Sequence, residues 1–133
     1  MLKTLATCKP SEFLVQTNRV RIVAEKWLKN TNILNIRKNQ PEYPDGATEE
    51  EKQAILEAQV RKNLSQMFDA ILDTCSGETL ELMALLCFVE PENVDDHDMG
   101  EYIEAITGLI TNKAVLRFFT SLVQLGQKNT SGV

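Results

Sequence analysis

No apolar run in this chain approaches the roughly 20 residues a helix needs to cross a bilayer. The most apolar stretch, residues 80–89, is interrupted only by Glu81 and reads as a buried core element. Residues 1–9 are too short and too polar to hold a secretory h-region, so a cytoplasmic protein is expected. Cysteine is scarce: Cys8, Cys75 and Cys87 are odd in number and lack any CxxC spacing. That argues against a disulfide framework and a zinc site, and Cys75 and Cys87 read as small buried hydrophobes. Glycine and proline are few and β-branched residues form no alternating runs, which points to helices. His97 is the only histidine, and no glycine-rich phosphate loop is present. No Ser or Cys sits on a strand-to-helix elbow, so the chain is not expected to be an enzyme or to need a cofactor.

Lys and Arg are absent between Lys62 and Lys113. The net charge of −5 conceals a strong asymmetry: residues 1–38 hold eight basic side chains against Glu12 and Glu25, a net of +6, and the remainder carries −11. Such asymmetry hints at an interaction surface and says little about fold. One consequence is that copies of the chain can attract one another, basic region to acidic region, as a homo-oligomer.

The expected architecture is all-α: a single compact bundle of about five principal helices and one short one, in one domain over 1–126. Residues 1–9 read as a frayed lead-in. Pro10-Ser11-Glu12 starts the first helix, with Ser11 as cap. Phe13, Thr17, Val20, Ala24 and Trp27 recur on one face up to about Lys29. Residues 33–36 fit a short helix or a short strand, and the helix is favoured because no strand partner exists. Pro41, Pro44 and Asp45-Gly46 make 40–47 a loop or hinge. Thr48 and Glu51 match a capping box ahead of the longest helix, whose stripe is Val60, Leu64, Met67, Phe68, Ile71, Leu72 and Cys75. Ser76-Gly77 stops that helix, and Pro91 ends the buried run that follows. Asp98 and Glu101 cap a helix lined by Met99, Tyr102, Ile103, Ile106, Leu109 and Ile110. Asn112 caps a last helix whose inward stripe is Val115, Phe118, Phe119, Leu122 and Val123. Gly126 ends it, and 127–133 is expected to be a disordered tail.

Asp95-Asp96-His97-Asp98 with Glu101 carries metal-binding groups, but a catalytic metal needs about three ligands converging from supporting elements. The bland alternative, a solvated acidic loop with Asp98 as helix cap, is preferred. Lys9, Arg19, Arg21, Lys26, Lys29, Arg37 and Lys38 form a basic set, with Arg37-Lys38 placed to contact phosphates. The acidic bulk and a sequence pI near 4.9 weigh against nucleic acid. A small regulatory nucleic-acid binder using residues 9–38 is therefore the second reading. Trp27 suits the core, or a partner anchor if its helix is partly uncovered.

Two blocks carry a resemblance. One is Lys9-Pro10-Ser11-Glu12-Phe13-Leu14-Val15-Gln16-Thr17-Asn18 with Trp27-Leu28 and Ile36-Arg37. The other runs from Phe88-Val89-Glu90-Pro91-Glu92 through Gly100-Glu101-Tyr102 to Phe118-Phe119-Thr120-Ser121-Leu122. Together they resemble the small tail assembly chaperones of phages and prophages of Gram-positive bacteria. The resemblance implies a cytoplasmic, non-enzymatic protein that binds the tape-measure or tail-tube protein, often self-associates, and leaves the finished particle. It transfers no individual binding residue. The residues proposed to meet a partner are Arg19, Arg21, Trp27, Arg37 and Lys38, taken from the basic set and the lone tryptophan.

Overall fold

Helix starts in this protein are made by short local contacts. In the computed structural model, which describes residues 1–131 and side chains as far as Gly126, six α-helices form and no strand does. The fold is all-α, 75% helical, with five principal helices and one short one. Helix α1 spans Pro10–Thr31. Proline stands at the first helical position, where its missing N–H costs nothing. The cap comes from Glu12 rather than Ser11: its carboxylate accepts the Lys9 N–H at 3.0 Å. The helix runs two residues past Lys29 and stops at Asn32, whose left-handed backbone (φ 57°) ends the repeat. The short α2, Ile33–Ile36, settles the helix-or-strand ambiguity as helix.

Helix α3, Glu49–Asp69, starts on Thr48, whose hydroxyl accepts the Glu51 N–H at 3.1 Å. It continues into a π-helical turn, Ala70–Thr74, closed by Cys75 N–H on the Ala70 carbonyl at 2.8 Å. Helix α4, Ser76–Leu86, ends before Pro91 is reached. The Val89 N–H bonds the Ala84 carbonyl, the Phe88 N–H bonds the Leu85 carbonyl, and Phe88 takes φ 56°. This is a Schellman ending, a geometry that usually employs glycine at the left-handed position. A 3₁₀ turn, Pro91–Asp96, replaces the expected irregular loop. Helix α5, Met99–Ile110, is capped by Asp98 and Glu101, with the Glu101 carboxylate accepting the Asp98 N–H at 3.2 Å. Helix α6, Lys113–Ser131, begins on the Asn112 side chain, which accepts the Val115 N–H at 3.0 Å. It continues through Gly126, because a lone glycine costs a helix only about 1 kcal/mol and does not by itself end one. The tail expected over 127–133 is therefore helical backbone as far as Ser131, and its last two residues lie outside the described ones.

Contacts divide the chain into two compact units, Ile22–Leu80 and a second made of Met1–Arg21 with the chain from Glu81 onward. Ala84, Cys87, Val89, Tyr102 and Ala105 form the core of the second, with Leu2, Met83, Val94 and Ile106 packed against them. The Tyr102 hydroxyl, inside this core, donates to the Val94 carbonyl at 2.7 Å. Leu85 is 3% exposed, so the central run is buried where it was expected to be, although Leu80 at its edge is exposed. Each large apolar side chain fully buried here contributes roughly 1.5–3 kcal/mol. The lead-in is not frayed: Thr4 and Leu5 are buried, and Thr4 N–H donates to the Thr7 hydroxyl at 3.0 Å. Phe13 meets Phe118 edge-on at 5.4 Å and Phe119 at 6.3 Å.

In the unit Ile22–Leu80, the Trp27 indole donates to the Thr79 hydroxyl at 2.9 Å, and that hydroxyl lies 2.7 Å from the Ile71 carbonyl in the π turn. Asn63, buried on α3, accepts from Gln59 and donates to the Asn39 carbonyl at 3.1 Å, tying the chain after α2 to α3.

Candidate functional site

The five residues proposed to meet a partner fall in different surroundings. Arg19 forms a two-pronged bond with Glu90, at 3.0 and 2.8 Å, and this contact holds the Glu90 carboxyl below the usual carboxylate range. Arg21 is bonded to the Asn18 side chain at 2.8 Å. Trp27 is half-buried and committed to Thr79. Arg37 and Lys38 are exposed just past α2. Arg37 lines a concavity: with Val60, Asn63, Leu64 and Met67 it bounds a groove of about 220 Å³ along α3.

That groove belongs to a longer apolar row that periodicity had assigned to the core. Val60, Leu64, Phe68 and Leu72 recur every fourth residue, and all are exposed, Phe68 at 57% and Leu72 at 69%. Only Met67, Ile71 and Cys75 of the expected stripe are half-buried or buried. Helix α6 departs from expectation in the same way. Val115 and Phe119 are half-buried, whereas Phe118, Leu122 and Val123 are exposed, as are Leu116 and Leu125. On α5, Tyr102, Ala105 and Leu109 face the core, while Met99, Ile103 and Ile110 face outward. A repeat of apolar positions fixes which side chains share a face, and nothing in it says whether the same chain covers that face.

The acidic loop is organised around its helix start. His97 Nδ1 lies 3.2 Å from one Glu101 oxygen, and the other accepts the Asp98 N–H. The amide and then the imidazole lower the Glu101 pKa. Among the described residues, no three His, Cys, Asp or Glu side chains are placed to hold a metal ion. Nor is any described helix long and apolar enough to cross a membrane.

Two features escaped the sequence reading. The groove beside Arg37 is lined in part by Asn63, whose bond to the Asn39 carbonyl joins residues 24 apart. The left-handed Phe88 had no glycine to announce it. The chain matches no protein-family model, and comparison with curated proteins and with solved structures finds no match.

Proposed function

We propose that this protein is a non-enzymatic, protein-binding assembly factor working in the cytoplasm. Its role would be that of a phage tail assembly chaperone, holding a tape-measure or tail-tube protein before assembly. The observation that carries the reading is the outward apolar rows on α3 with its π turn, on α5 and on α6, among them Phe68, Leu72, Ile103, Leu122 and Leu125. Monomeric proteins seldom expose contiguous apolar patches beyond a few hundred Å², and larger ones mark sites that a partner covers. The choice of a tape-measure or tail-tube protein as that partner rests on the resemblance carried by residues 9–18, 27–28 and 36–37 and by 88–92, 100–102 and 118–122. A nucleic-acid role for residues 9–38 is less well supported, since Arg19 and Arg21 already bond Glu90 and Asn18.

Co-expression with the tail-tube and tape-measure proteins of the phage or prophage that carries this gene tests the proposal. A stoichiometric complex that keeps the partner in solution, and that weakens when Leu72 and Leu122 are changed to Asp, supports it. Co-expressed partners that stay soluble without this protein and never co-purify with it overturn it.

A further inference from the structure

The α3 groove has cations at its border. Arg37 lines it, Lys38 follows, and Arg61 sits one residue after Val60 and three before Leu64, hence beside the same row. Among the described residues, none of Arg37, Lys38 and Arg61 makes an ion pair. An apolar floor with a cationic border fits a helix of the opposite pattern, apolar on one face and bordered by carboxylates.

In this chain α5 offers the apolar row, and the segment just before it offers the carboxylates. On α5, Met99 is 54% exposed and Ile103 and Ile110 are 59% exposed, while the other face of the helix is held in its own core by Tyr102, Ala105 and Leu109. Asp95, Asp96 and Asp98 precede the row, and no Lys or Arg occurs anywhere from 63 to 112. Met99, Ile103 and Ile110 repeat at helical spacing, as Val60, Leu64 and Met67 do on α3, so one row can lie along the other.

We infer that α5 of one copy docks its Met99, Ile103 and Ile110 row into the α3 groove of a second copy, with the exposed Asp95 and Asp96 ahead of the row facing Arg61, Arg37 and Lys38. The contact is heterologous: each copy offers a groove and a helix, so association continues until a ring closes or a filament grows. Arg19, already held by Glu90, takes no part. The inference stands apart from the phage reading, because it concerns copies of this chain alone.

Sedimentation velocity of the full chain, over a wide concentration range at low and high salt, tests it. The average mass should rise with concentration, and the rise should weaken with salt as the charged border is screened over about 8–10 Å. Leu64→Asp removes the groove and Ile103→Asp removes the docking row. Both lie at exposed positions, so helix content by circular dichroism should be retained. Each alone should weaken association by at least about tenfold, which corresponds to about 1.4 kcal/mol. Mixed in equal amounts, the two variants should form a one-to-one complex and nothing larger, since one intact helix meets one intact groove. A wild-type chain that stays monomeric at every concentration and salt overturns the inference. So does association that survives both substitutions, or a mixture that remains two monomers.

Discussion

Gln16 and Leu85, 69 residues apart, are joined by a 2.7 Å bond from the glutamine side-chain amide to the leucine carbonyl, in a buried position. The bond pins α1 to the last turn of α4, where Leu85 also accepts the Phe88 N–H. Gln16→Met keeps the volume and removes the donor. It is expected to lower unfolding free energy by about 1 kcal/mol, the net worth of a typical internal hydrogen bond, as measured by urea denaturation. An unchanged midpoint would show that the bond contributes nothing net.

Phe88 is a second test of the same turn. Its left-handed backbone costs an L-residue roughly 1–2 kcal/mol. The ring partly offsets this by packing, with the Lys3 ammonium 5.4 Å from its centre. Phe88→Ala and Phe88→Gly both delete the ring, but only glycine relieves the backbone. The glycine variant should therefore be the more stable of the two by about 1 kcal/mol in thermal or urea unfolding.

Trp27 is the single tryptophan, so its fluorescence reports on the unit Ile22–Leu80 alone. Thr79→Val leaves the indole N–H without its acceptor and should cost about 1–3 kcal/mol, the range for a stranded buried polar group. Trp27→Phe removes the donor with the bond, and the Thr79 hydroxyl keeps its Ile71 carbonyl partner, so no polar group is stranded and the cost should come from lost ring volume alone. Denaturation followed by fluorescence for the first variant, and by circular dichroism for both, compares them.

The three cysteines should separate by reactivity. Cys75 and Cys87 are buried, and burial pushes the Cys87 thiol up to about 11. Cys8 is only partly covered. A thiol reagent at neutral pH should modify Cys8 in the native protein and reach the other two only when their units open, since the thiolate is the reactive form. Mass spectrometry of the labelled peptides over time gives the order.

Acid should weaken the protein through three glutamates. Glu12 is lowered by its bond from Lys3 and then by the Lys9 amide, Glu90 by Arg19, and Glu101 by the Asp98 amide. A carboxylate whose folded pKa lies below its unfolded value favours folding once ionised. That advantage is present above about 4.3, the ordinary glutamate value, and disappears as pH falls through the lower folded values. Melting temperature should drop across that acid range. A Glu12→Gln, Glu90→Gln, Glu101→Gln triple variant should show a shallower drop.

Where a feature depended on residues three or four apart, it could be read before any coordinates. The Thr48 and Asp98 caps and the Asn112 start were legible for that reason, since each donor and acceptor lie within one turn. Long-range partners were not. Arg19 looked like an available cation because nothing local shows that Glu90, 71 residues on, would hold it. The α3 and α6 rows were legible as faces, yet their exposure depends on what the rest of the chain leaves uncovered. Ser11 lost the capping role to Glu12 because Pro10 could begin the helix itself.

The π turn after α3 sets an angle. It holds one residue more than an α turn would, so the residues that follow it within the same unit, as far as Leu80, start about 100° out of step with an uninterrupted helix. Deleting any one residue between 70 and 74 would let the turn relax into α geometry with its apolar chemistry largely intact. Thr79 would then be carried round the axis, away from the Ile71 carbonyl and the Trp27 indole it now bridges. This short segment is thus sensitive to length where most of α3 is sensitive to composition: a point substitution there can be absorbed, and a frame-preserving deletion cannot.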